Sequence, residues 1–112
     1  MSARKRALTP FGAIILDMLD AAKAPHYKFF EAVGISKAYF YDTLTGQPPA
    51  PDVIERMLAT LDAILPPDPN RRTAILDQAA KTKSEIPPDI YDAIRQNPDG
   101  WDKLRKFLKK QF

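Results

Sequence analysis

Apolar residues recur along this chain at the spacing of α-helices, and proline and glycine fall between the recurrences. Phe11, Ile14, Ile15, Met18, Leu19 and Ala22 share one helical face, so a first helix is expected from about residue 10 to 23. Thr9-Pro10 supplies its start, a hydroxyl N-cap followed by proline at the first helical position. Ala24-Pro25 interrupts the pattern, and Phe29, Phe30 and Val33 mark a second helix over 25–33. Gly34 ends it as a left-handed residue, Ile35 occupies the turn, and Ser36 caps a third helix over 37–45 with Phe40 and Leu44 inward and Gly46 as terminator.

"QPPAP" reads as a stiff extended loop, because the residue before each proline is pushed out of the helical region. Val53, Ile54, Met57, Leu58, Leu61 and Ile64 then stripe a fourth helix over 51–65. "PPDPN" breaks the chain before a fifth helix over 69–82 carrying Ile75, Leu76 and Ala79. After "EIPPD" come helices over 88–96 and 98–110, the last lined by Trp101, Leu104, Phe107 and Leu108. No Val/Ile/Thr alternation lasts long enough to predict strands. The expected fold class is all-α: a flexible basic arm at 1–8, a helix-turn-helix domain at 9–65 and a short helical C-terminal extension at 66–112.

Composition narrows the function. The 112 residues are 45% hydrophobic and 28% charged, values of an ordinary globular chain with a real core. Cysteine is absent and His26 is the sole histidine, so neither a disulfide nor a cysteine- or histidine-rich metal site is expected, nor any cofactor. Without a glycine-rich phosphate loop or a convincing acidic pair, no catalytic set emerges and an enzyme is not expected. The longest apolar run, Phe11 to Leu16, is too short to span a bilayer, and the expectation is a cytoplasmic protein.

The net charge is a modest +3, but its distribution is uneven. Acids and bases balance over residues 1–65, while Arg4, Lys5 and Arg6 crowd one end and Lys103, Arg105, Lys106, Lys109 and Lys110 the other. Basic ends suit a polyanion partner, and equally suit plain solubility. The C-terminal "WDKLRKFLKKQF" has three readings: docking on its own domain, packing against a second copy, or lying on a membrane surface. Dimerisation or docking is favoured over the membrane, with Trp101, Leu104, Phe107 and Leu108 as the contact residues.

A helix ended by glycine, a tight turn with one apolar residue and a capped second helix form the helix-turn-helix pattern. Such a turn lets the leading edge of the second helix project and reach base edges in a major groove. From Thr9 to Leu65 the chain resembles the xenobiotic-response-element class of regulators, which includes the lambdoid phage repressors. Val33, Gly34, Ile35, Ser36, Phe40, Gly46 and Pro49 carry the resemblance. "RRTAILDQAAKTKSEIPPDIYDAIRQNP" resembles a C-terminal extension on a bacterial and prophage branch of that class, marked by "IPPDI".

The resemblance implies a sequence-specific transcriptional regulator, a repressor that binds a palindromic operator in double-stranded DNA as a homodimer. It sets His26 against a phosphate and Ser36, Lys37 and Ala38 at the leading edge of the recognition helix. Lys37 would donate to guanine and Ala38 would touch a thymine methyl. Tyr39, Tyr41 and Asp42 follow on that helix, Thr45 and Gln47 fall near the DNA backbone, and Arg4, Lys5 and Arg6 form an arm toward the neighbouring groove. Packing competes with DNA contact at Tyr39 and Tyr41. The alternative is a protein-interaction module, such as an antitoxin with a protein partner and secondary DNA binding.

Overall fold

The computed structural model describes residues 7–112, so the arm residues Arg4, Lys5 and Arg6 lie outside the described part. The described chain is all-helical: α1 (Pro10–Ala22), α2 (His26–Val33), α3 (Lys37–Thr45), α4 (Pro51–Ile64), α5 (Arg71–Lys83), α6 (Pro88–Gln96) and α7 (Trp101–Gln111), with a 3-10 turn at Pro98–Gly100. No described helix is long and apolar enough to cross a membrane.

Local chemistry sets most boundaries. Thr9 is extended, and its hydroxyl accepts from the Gly12 N–H at 3.0 Å, with Pro10 in the first turn. α1 stops at Lys23, a non-glycine residue in the left-handed region (φ 54°) whose N–H donates to the carbonyls of Leu19 and Asp20. Three helix starts differ from expectation, and several ends shift by one residue. α2 starts at His26 rather than 25, because Pro25 is extended. α5 starts at Arg71 rather than 69, since the Asp68 carboxylate accepts from the Asn70 N–H at 2.9 Å and holds a turn there. The last predicted helix opens with the tighter Pro98–Gly100 turn, α7 following from Trp101.

α1 is the central element. Phe11, Ile15 and Leu19 fall one turn apart on its inner face and are fully buried. They meet Phe29 and Val33 of α2, Phe40 and Leu44 of α3, Val53, Met57 and Leu61 of α4, and Ile75 and Ala79 of α5 in one core. Each large apolar side chain so enclosed contributes about 1.5 to 3 kcal/mol. α5 lies along α1, and the Thr82 hydroxyl accepts the Phe11 N–H at 3.1 Å, satisfying a free amide at the start of α1. The core therefore continues beyond residue 65 to the end of α5, and the segment expected as one extension divides there. No residue of α6 or α7 is buried. The radius of gyration, 16.8 Å, exceeds the roughly 13 Å of a compact chain this long.

One close approach in the core is between backbones. A Cβ built on Gly12 would lie 2.0 Å from the Leu44 carbonyl oxygen, so α1 crosses α3 where only glycine fits. The same carbonyl accepts the Thr9 N–H at 3.0 Å and the Thr9 hydroxyl at 3.3 Å. α4 and α5 are joined by arginines. Arg71, almost enclosed, donates to Asp62 at 2.5 Å and to the Pro66 carbonyl, clamping the proline loop. Arg72 makes two bonds to Glu55, at 2.6 and 2.5 Å.

Two outcomes are expected. Gly12→Ala should lower unfolding stability in urea by about 2 to 3 kcal/mol, because the backbone of α3 must move. Bonding to Arg72 holds the Glu55 carboxyl below its ordinary value of 4.5, against a small opposing effect of burial. The stabilisation is thus full above that ordinary value and is lost as pH falls through the depressed one. Urea titrations from pH 6 downwards should show Glu55→Gln removing part of the acid-induced loss, by less than about 1 kcal/mol because both side chains are half exposed.

Candidate nucleic-acid interface

The rotation of α3 decides which side chains it offers. Phe40 is completely buried, and Thr43 and Leu44 complete the inner face. Thr43 is tolerated there because its hydroxyl donates to the Phe40 carbonyl at 2.7 Å. The Phe40 ring lies 5.8 Å from Phe29 and 5.6 Å from Phe30, so the crossing of α2 and α3 is built from aromatic rings. With that face fixed, Ala38 and Asp42 point away from the core, and Lys37 is exposed at the leading edge.

The turn between the helices is short because Gly34 takes φ 88°, its N–H donating to the carbonyls of Phe30 and Glu31. Ile35 is half-buried against the core. The Ser36 hydroxyl accepts the Tyr39 N–H at 3.0 Å, as an N-cap does. Arg56 of α4 donates to the Val33 carbonyl at 2.9 Å and also pairs with Asp52 at 3.7 Å. A cation at the C-terminal end of α2 complements the helix dipole and pins the turn to α4.

The predicted contact residues fall into three groups. Lys37, Ala38, Asp42 and Gln47 lie exposed along the outer edge of α3 and the loop that follows. Ser36 is exposed but its hydroxyl is committed to the cap, and Thr45 is partly buried. His26, Tyr39 and Tyr41 do structural work while remaining partly accessible. His26 Nδ1 is 3.1 Å from the Tyr41 hydroxyl, and its ring packs at 5.8 Å from Phe40, which ties the start of α2 to the middle of α3. The Tyr39 hydroxyl accepts the Ala50 N–H at 3.4 Å and braces the proline loop, whose Pro48 and Pro49 are buried. Lys37 and Asp42 oppose one another in sign, so the outer face of α3 carries no strong field of its own.

The expected dimer residues stand apart from this face. The Trp101 indole N–H donates to the Ile94 carbonyl at 2.6 Å, making Trp101 a brace between α6 and α7. Leu104 is half-buried, while Phe107 and Leu108 remain exposed.

Two residues that shape the seating of α3 escaped the sequence reading. Gly12 lies on the apolar side of α1, and a glycine there is a readable sign of close backbone approach. Arg56 stands four residues after Asp52 and reads as half of a surface pair, so nothing local signals its bond to Val33. Comparison with family models, curated proteins and solved structures finds no match for this chain.

Gly34→Ala is expected to lower stability by about 1 to 2 kcal/mol in chemical denaturation, since it strains a left-handed residue and crowds the Arg56 guanidinium 3.1 Å from the added carbon.

Proposed function

We propose that this chain is a sequence-specific DNA-binding transcriptional regulator. α2 and α3 act as a helix-turn-helix within a lambda-repressor-like bundle of the xenobiotic-response-element class. The carrying observation is the exposed leading edge of α3, Lys37 and Ala38, presented opposite a fully buried Phe40. A rigidly seated helix with small or donor side chains at its first turn suits a major groove, where lysine bonds guanine O6 or N7 and a methyl group meets thymine. Rigid seating matters because base readout depends on donors held in register. Here the cap, the Gly34 turn and Arg56 support that register from three sides.

Binding by one copy is expected to be weak, because the α3 face is neutral and its following loop carries no cation. Two copies on a palindrome, with half-sites about 34 Å apart, would raise affinity through simultaneous engagement.

A second reading is a protein-interaction module of the antitoxin kind, favoured by that same neutrality and by the buried prolines after Gly46. A stable protein partner in pull-downs, together with no salt-dependent DNA binding, would select it.

The test is a fluorescence-anisotropy titration with DNA from upstream of the chain's own gene and with random DNA. Lys37→Ala should reduce the preference for the specific site by about tenfold while leaving non-specific binding nearly unchanged. Equal weak binding to every sequence, unaltered by Lys37→Ala, would count against the proposal.

A further inference from the structure

No residue of α6 or α7 is fully enclosed, yet both helices are amphipathic. Ile86 in the preceding linker, Ile90 and Tyr91 of α6, and Phe107 and Leu108 of α7 are all exposed. Large apolar side chains left exposed on two successive helices are available to cover a partner surface.

The two helices differ in electrostatic character. Ile86, Pro88 and Tyr91 line a shallow cleft of about 430 Å³ whose remaining walls are the acids Glu85 and Asp92. Asp92 pairs with Arg95 only at 3.7 Å. The cleft shares Glu85, Ile86 and Pro88 with an apolar groove of about 310 Å³ floored by Ile54, Leu76 and Ala79. That groove is itself charge-balanced, Glu55 and Glu85 facing Arg72 and Lys83, so the acidic rim belongs to the cleft alone. α7 is the complement: apolar along Leu104, Phe107 and Leu108, and basic through Lys103, Lys106, Lys109 and Lys110. Its only acid, Asp102, is engaged by Arg105 at 2.6 Å.

We infer that α7 of one copy lies in the acid-rimmed cleft formed by the 85–88 linker and α6 of a second copy, and reciprocally. The inference rests on the homodimer invoked above and deepens it by naming the surfaces that meet. An apolar floor with an acidic rim fits an amphipathic helix with a basic border, and this chain carries one of each. A two-fold axis satisfies both at once and closes the assembly, since every cleft and every helix is then used. The charged border would set register and exclude mismatched partners, while the apolar strip supplies affinity.

The test uses the full chain without DNA, so its failure is distinguishable from failure of the DNA reading. Light scattering after gel filtration should find a dimer. Two surface variants are then compared, each checked for unchanged helicity and melting. One reverses the cleft, Glu85→Lys with Asp92→Lys; the other reverses the helix, Lys106→Glu with Lys110→Glu. Each alone should dimerise at least about tenfold more weakly, because like charges then face one another. Mixed in equal amounts they should recover a dimer, since both reciprocal contacts become complementary again. A monomeric wild type overturns the inference, whether α7 then docks on its own chain or sediments with phosphatidylglycerol vesicles. Variants that dimerise undiminished, or a mixture that does not recover, overturn it too.

Discussion

The enclosure of Phe40 is the constraint on which the arrangement of this chain depends. Its ring meets Phe29 and Phe30 of α2 and the imidazole of His26, so one side chain sets both the crossing of α2 with α3 and the rotation of α3 about its axis. A helix turned by one residue rotates about 100°. Such a turn would bury Tyr41 or Tyr39 in place of Phe40, with a polar hydroxyl to satisfy, and would carry Ala38 and Asp42 off the outer face. The flanking bonds, from Arg56 to the end of α2 and from Ser36 to the start of α3, hold the same rotation from outside the core.

The loop after α3 limits where binding energy for a polyanion could come from. Pro48 and Pro49 carry no N–H, the Gly46 amide bonds the Asp42 carbonyl, and the Ala50 amide meets the Tyr39 hydroxyl. Gln47 is left as the loop's chief polar contributor. A phosphate passing this edge would find few backbone donors. Discrimination and affinity would then reside in different places: the former on the first turn of α3, the latter in the pairing of two copies and in the basic ends of the chain. In the charge-rimmed pairing of α6 and α7, much of the C-terminal basic charge would be spent on self-association rather than on DNA.

Helix ends were legible from sequence at several places where one residue's backbone chemistry decides them, though Pro25 and Pro98 stand just ahead of the helices they were expected to open. Thr9-Pro10, Gly34-Ile35-Ser36 and the prolines at 51 and 88 each act through their own φ, amide or hydroxyl, and the structure bears their placements out. Position 69 misled because the Asp68 side chain forms a turn before the helix begins. Periodicity also gave the inner face of α5, but a stripe of Ile75 and Ala79 does not name the surface it covers. The seat on α1 depends on three-dimensional crossing, as do the bonds of Arg56 to Val33 and Arg71 to the Pro66 carbonyl. At the candidate interface, sequence marked the exposed edge correctly at Lys37 and Ala38. It left the tyrosines open between packing and exposure, and they prove to combine the two.

The Phe11 amide finds its acceptor in Thr82, seventy-one positions later, and Ile75 fills the same seam. Order of synthesis therefore matters. While the chain emerges, α1 through α4 can gather around Phe40, but α1 keeps an open flank and an unmet donor until α5 has cleared the ribosome. The enclosure of α1 is completed only after the last turn of α5 is made, which ties the closure of the core to a segment far from α1 in sequence.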